Sequence, residues 1–325
     1  MTRIPLDFFV SLPADPAPRH GSLPMNIGLL GCGKWGRLVL RDLVRLKCCV
    51  TVLAIDDLSR QYAQTYGATR IVTTMAALMG QDGYILCTPS TVRYTLIQAL
   101  VQLEPSALIF AEKPLCTNFE QAKQLSDTLP HSLFMMDKWR YHAGVLALKR
   151  LIITNEFGPV QSISTRRLSD GVTYSDLDTV WLLAPHDLSI VLELLGYLPK
   201  PKTAIVDNTD GRRRGLQAVL GSHPQVYLEV TDRHTCSIRE VTVYFEKAVA
   251  VLSNSHEDYL AIHSTTHTDG PDSTPEKRLF TPNEPLFDEL QAFLAFVGGG
   301  LPPKSSGADG ALVVKIIAQL LTLNP

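Results

Sequence analysis

From Met25 to about Asp137, short apolar runs alternate with longer amphipathic stretches. Short continuous apolar runs read as strands buried on both faces, and the amphipathic stretches between them as crossover helices. Strands are predicted at 26–30, 50–55, 69–72, 83–87, 107–111 and 133–136, with helices at 34–46, 91–102 and 118–129. Strand and helix in alternation give a doubly wound α/β unit, which binds ligands at the carboxyl ends of its strands.

After Tyr141 the pattern changes. A helix is predicted over 145–154, a strand over 160–167 and an apolar helix over 186–195. Period-two segments then follow at 202–207, 217–220, 225–231, 238–245 and 248–253, the mark of a mostly antiparallel open sheet in an α+β domain. Helices over 286–297 and 308–321 close the chain, and the polar "DGPDSTPEKR", Asp269 to Arg278, reads as a loop.

At 325 residues the chain is long enough for two domains, and 45% hydrophobic with 19% charged residues places it among globular proteins. A net charge of -2 gives no electrostatic case for nucleic acid or an anionic membrane, and no apolar run approaches the roughly 18 residues a bilayer requires. Cys32, Cys48, Cys49, Cys87, Cys116 and Cys236 form neither a C-x-x-C pair nor a zinc pattern. They read as buried free thiols of a cytoplasmic protein without a metal. Residues 1–24, crossed by Asp7 and five prolines, read as a loose extension.

The candidate chemistry begins at "GLLGCGKWGR". Gly31, Gly33 and Gly36 stand between a strand and a helix in the G-x-G-x-x-G order that accepts a dinucleotide pyrophosphate. About twenty residues on, Asp56 ends the second strand, placed to accept both adenosine ribose hydroxyls and to repel a 2′-phosphate, which favours NAD over NADP. The alternative is Asp56 or Asp57 as no more than a helix cap before Ser59. Thr88 and Pro89 end the fourth strand. Glu112 and Lys113 end the fifth; a lysine there is either solvated or placed to stabilise a developing alkoxide.

The ordered set "GLLGCGKWGR", "IDD", "CTPSTVRY", "AEKPL" and "LAPHDLSIVLELLG" resembles the glucose-fructose oxidoreductase and inositol dehydrogenase family, written Gfo/Idh/MocA, over nearly everything from Met25 onward. The resemblance implies a Rossmann domain over 25–140 and a substrate and oligomer domain over 141–325. It implies Lys113 and His186 facing the nicotinamide, Pro114 in a cis peptide, and a cofactor site formed by Gly31, Gly33, Lys34, Trp35, Gly36, Asp56, Thr88, Pro89, Arg93, Glu112 and Lys113. The stretch from Ser164 to Pro199 is most similar to the branch acting at C3 of nucleotide-linked hexoses, which implies Arg166, Asp176 and His186 on the substrate side. It further implies a homodimer or homotetramer formed through the open sheet face. From their place at the end of the last strand, Lys138, Arg140 and Tyr141 are either substrate contacts or interdomain packing.

Family members commonly carry D-x-x-x-H, yet the residue four before His186 is Leu182, which cannot accept a proton. Either Lys113 and His186 suffice, or the site serves binding without turnover. Asp176 and Asp178 are the nearby carboxylates in sequence. Arg93 stands where members often have histidine. "GRRRG", Gly211 to Gly215, reads as a solvated hairpin loop, with phosphate binding as the alternative. The expected activity is NAD-dependent hydride transfer to or from a sugar secondary alcohol. A free-sugar or cyclitol dehydrogenase and a dinucleotide-binding sensor are the alternatives.

Overall fold

The computed structural model describes residues 24–171, 177–209, 211–265 and 274–323. Its first sheet holds six parallel strands: β1 (Asn26–Leu30), β2 (Cys49–Leu53), β3 (Arg70–Val72), β4 (Gly83–Leu86), β5 (Ile109–Glu112) and β6 (Leu133–Met136). The connecting helices are α1 (Gly36–Arg45), α2 (Asp57–Thr65), α3 (Ser90–Leu103) and α4 (Phe119–Thr128). The spatial order β3-β2-β1-β4-β5-β6 reverses between β1 and β4, opening a crevice at their carboxyl ends. Ile27, Leu29, Ile85 and Phe110 bury one face against α1, while Leu30, Leu86, Ile109 and Ala111 bury the other with α3 and α4.

Beyond β6 come α5 (Ala143–Thr154), β7 (Val160–Asp170) and α6 (Thr179–Leu195). Then follow β8 (Pro201–Thr209), β9 (Arg212–Leu220), β10 (Gln225–Thr231), β11 (Arg233–Phe245), β12 (Ala248–Leu252), β13 (Tyr259–Ser264) and β14 (Glu276–Leu279). Together with β7 they form an eight-stranded sheet, β14-β13-β12-β11-β7-β10-β9-β8, antiparallel except where β7 meets β10. Along β7 the side chains alternate: Ile163, Thr165 and Arg167 are buried and Ser164 and Arg166 half-buried on the opposite, open face.

Three local expectations change. Helix α6 starts at Thr179 rather than His186, because the Asp178 carboxylate caps it by accepting from Trp181 N at 3.1 Å. Pro185 inside it is outweighed by burial of nearly the whole helix. The arginines of "GRRRG" lie in β9, not in a loop. Residues 276–278 of the supposed polar loop belong to β14, a charged edge strand held by main-chain pairing with β13 rather than by an apolar face; 269–273 lie outside the described residues.

The last two helices return to the first domain. Helix α7 (Pro285–Val297) lies far beyond residue 141, yet Leu290, Phe293 and Leu294 sit in the core of the first sheet, with Phe293 stacked on Phe110 at 4.9 Å. Helix α8 (Gly307–Thr322), started by a Ser306–Asp309 capping box, packs on α4 and α6. Just before it, Ser305 O accepts from Met135 N at 2.9 Å, joining the tail to β6. All six cysteines are free, and Cys236 is exposed rather than buried. No described helix is long and apolar enough to cross a membrane.

Candidate active site

The loop from β1 to α1 is shaped by its glycines. Gly31 has φ +88°, and a Cβ there would lie 2.8 Å from the Cys87 carbonyl oxygen. A Cβ on Gly36 would lie 2.2 Å from the Gly31 oxygen, so helix and loop approach this closely only without a side chain. A Cβ on Gly33 would meet nothing within 4 Å, so the loop is open toward the cleft it lines. Lys34, Trp35, Thr88 and Pro89 line the same cleft, and Lys138 Nζ lies 4.9 Å from the Trp35 ring centroid. Trp35 Nε1, Thr88 Oγ1 and Ser90 Oγ are buried with no hydrogen-bond partner among the described residues. A glycine cradle beside unsatisfied polar atoms fits a dinucleotide.

Asp56 is exposed at the end of β2. Its carboxylate accepts from Ser59 N at 2.8 Å and Ser59 Oγ at 2.7 Å, so it is the cap of α2. The Ser59 backbone bond, chiefly, keeps it ionised by lowering its pKa. Each oxygen retains a lone pair, so the cap does not preclude a ribose contact.

The other half of the cleft is built from both domains, around a cavity of about 610 Å³. Lys113 follows β5, and its peptide with Pro114 is cis, as the family resemblance implies. The buried Arg93 donates to the Pro114 and Thr88 carbonyls, fastening the turn after β5 to the end of β4, and Glu112 accepts from Lys113 N. Lys113 Nζ donates to the Leu182 carbonyl at 3.0 Å, on the helix that carries His186. The residue that replaces the usual aspartate thus meets the lysine through its main chain.

His186 is half-buried in the cleft wall. Its Nδ1 is buried with no hydrogen-bond partner among the described residues, which leaves Nε2 as the ring nitrogen open to the cleft. Burial first, then the Lys113 and Arg167 charges, push its pKa well below the usual value, so the imidazole is neutral at pH 7. Burial also lowers the Lys113 pKa.

Some expected residues stand elsewhere. Arg166 points to the open sheet face, paired with Glu229 at 2.9 Å. Strand alternation puts Arg167 on the inner face instead, where it binds Asp187 at 2.6 Å beside His186 and lies 4.5 Å from the Trp139 ring centroid. Arg140 is locked to Glu193 at 2.9 Å and Asp309 at 3.3 Å, and the Tyr141 hydroxyl accepts from Lys304 N at 3.0 Å; both are packing residues. Asp176 lies outside the described residues. Asp178, which caps α6 and pairs with Arg213 at 2.8 Å, does not line the cleft.

Arg239 and Glu289 also line the cleft, and Asp137 is buried after β6, with no motif to mark any of the three in the sequence. Arg239 lines the cleft and donates to the Leu168 carbonyl at 2.7 Å. Burial raises Asp137 to about 6. Glu289, on α7 at the cleft floor, is fully buried, neither oxygen has a hydrogen-bond partner among the described residues, and burial raises its pKa well above the usual carboxylate value. A charged residue on the apolar stripe of α7 was the available signal.

Fold and cleft together define a dinucleotide-binding oxidoreductase. Residues 25–132 match the Gfo/Idh/MocA model, described as an oxidoreductase family with an NAD-binding Rossmann fold. Similar solved structures include UDP-N-acetylglucosamine 3-dehydrogenase from Acidithiobacillus ferrooxidans, 18% identical, covering 93% of this chain and 98% of that one at a TM-score of 0.79. An oxidoreductase from Agrobacterium radiobacter in complex with NAD+, L-tartaric acid and magnesium is 14% identical, covering 93% and 96%, with a TM-score of 0.79. Levoglucosan dehydrogenase in complex with NADH is 14% identical, covering 93% and 97%, with a TM-score of 0.79. Identities this low show a shared fold. No curated protein matches the sequence.

Proposed function

We propose that the chain is an NAD-dependent dehydrogenase of a sugar secondary alcohol, acting on a nucleotide-linked hexose at C3. The observation that carries this reading is the meeting of Lys113 and His186, from two domains, in one cleft at the carboxyl end of a glycine-cradled parallel sheet. The solved 3-dehydrogenase of similar fold supports the choice of substrate. The nicotinamide, when bound, supplies the hydride acceptor. The neutral His186 takes the hydroxyl proton at Nε2 as general base. Lys113 Nζ, held toward the cleft by the Leu182 carbonyl, orients the substrate oxygen and stabilises its developing charge. Arg167, paired with Asp187, keeps a positive charge beside His186 that favours the neutral base.

The test is absorbance of the reduced cofactor with a panel of nucleotide sugars, free hexoses and cyclitols. Turnover of a nucleotide sugar supports the reading; turnover of free sugars alone moves the substrate class. NADH binding without turnover on any member, which Leu182 makes worth testing, overturns the enzyme in favour of a sensor.

Two finer points belong to the same proposal. Asp56 holds the adenosine ribose, so Asp56→Ala is expected to weaken NAD binding about tenfold, narrow its advantage over NADP, and cost about 1 kcal/mol through loss of the α2 cap. Unchanged affinity for both cofactors in a fluorescence titration removes the ribose role. The open face of the second sheet, where Ile205, Tyr227 and Tyr244 are exposed, pairs two subunits. Light scattering that reports a monomer at micromolar concentration contradicts this pairing.

A further inference from the structure

The arginine run at Arg212–Arg214 has no part in the chemistry proposed above. At the start of β9, it lines a recess of about 140 Å³ together with Asp178, Thr179 and Asp232. Gly171 and Leu177 line both this recess and the main cleft, so the two are continuous along that rim. Arg213 pairs with Asp178 at 2.8 Å and Arg214 with Asp232 at 2.7 Å, while Arg212 and Arg213 are exposed. Among the described residues that line it, three guanidinium groups stand against two carboxylates, a net positive charge. Arg213 meets Asp178 through Nη1, and a guanidinium has five donors, so it can hold the carboxylate and an anion together.

Position supplies the rest of the argument. Asp178, the N-cap of α6, stands eight residues before His186. At a rise of 1.5 Å per residue, the recess opens about 12 Å from the catalytic histidine. That is about the span of a hexose ring with its attached diphosphate. A planar guanidinium fork matches phosphate oxygens better than any other side chain.

We propose that Arg212 and Arg213 form an anion subsite for the diphosphate of a nucleoside-diphosphate sugar whose hexose lies against Lys113 and His186. The proposal rests on reading the cleft as a sugar dehydrogenase, and it makes the arginines the determinant of a nucleotide-linked over a free sugar.

Calorimetric titration of UDP into NADH-saturated protein, in which the cofactor's own phosphate site is filled, tests it. Wild-type protein is expected to bind UDP. Arg212→Ala, which leaves the α6 cap untouched, is expected to weaken UDP about tenfold, and Arg212→Ala/Arg213→Ala about a hundredfold, with NADH affinity within twofold. Arg233→Ala, which removes an exposed arginine paired with Asp207 outside the recess, is expected to leave UDP binding unchanged. The subsite is overturned if UDP does not bind the NADH-saturated protein, if Arg212→Ala and the double variant bind it like wild type, or if Arg233→Ala weakens it equally. Arginine-dependent UDP binding without turnover of any sugar overturns the dehydrogenase and leaves the subsite. Nucleotide-sugar turnover with UDP indifferent to the arginines does the reverse.

Discussion

Lys113→Ala is expected to lower kcat for sugar oxidation by about a hundred- to a thousandfold, the usual cost of removing one donor aimed at a developing oxyanion. NADH affinity is expected to stay within a few-fold, because the glycine loop and Asp56 are remote from the ammonium in sequence and belong to other elements. The lysine is a demanding case because it is a cation drawn into a low-dielectric wall, where burial already disfavours its charge. Across the domain boundary it donates to the Leu182 carbonyl, a neutral acceptor. An aspartate in that place would hold the ammonium as a salt bridge; a carbonyl holds its direction while leaving its charge for the substrate oxygen. Steady-state kinetics beside a fluorescence titration of NADH decides the matter. A variant with wild-type kcat removes Lys113 from the reaction, and one that loses NADH binding as well makes it a cofactor residue.

His186→Asn is expected to lower kcat/KM for oxidation by about a hundred- to ten-thousandfold and to abolish its acid limb. The sign follows from the environment of the ring. Burial and the Lys113 and Arg167 charges hold the folded pKa below 6.5, so the neutral base is fully present above that pH and is lost only as pH falls through the lower value. Wild-type kcat/KM is therefore expected to be level, on the acid side, from pH 7.5 down past 6.5, and to fall below it. In the asparagine variant the residual rate is expected to show no such fall. An acid limb that persists unchanged in the variant assigns the proton to another group, with Asp137, raised to about 6, as the next candidate.

The first sheet was legible because each strand is an unbroken apolar run and each connection an amphipathic helix, a contrast that survives without any knowledge of contacts. Strand β14 was not, since its four residues are mostly charged and its strand character comes from main-chain pairing with β13. The start of α6 was hidden by Pro185, whose local cost is outweighed by burial that only the assembled domain provides. The glycine loop, Lys113 and His186 were marked by type and spacing. Arg166 and Arg167 were separable in principle: Ile163 faces inward, and the period of two carries Arg167 to the same side. Arg140 and Tyr141 were not separable from cleft residues, because their partners Glu193, Asp309 and Lys304 lie far along the chain.

The return of α7 to the first domain also sets an order of events in the cell. Phe293 closes over Phe110, and Glu289 reaches the cleft floor, only after residue 297 has left the ribosome. Until then the face of the sheet that holds Phe110 and Ile85 has α1 but lacks α7, the second of the helices that cover it, although the glycine loop was made long before. Domains usually fold as they emerge, N-terminal part first. Here the cofactor domain must wait for a helix that follows the whole second sheet, and in that interval the part of its apolar face that α7 covers is a surface for chaperones to guard.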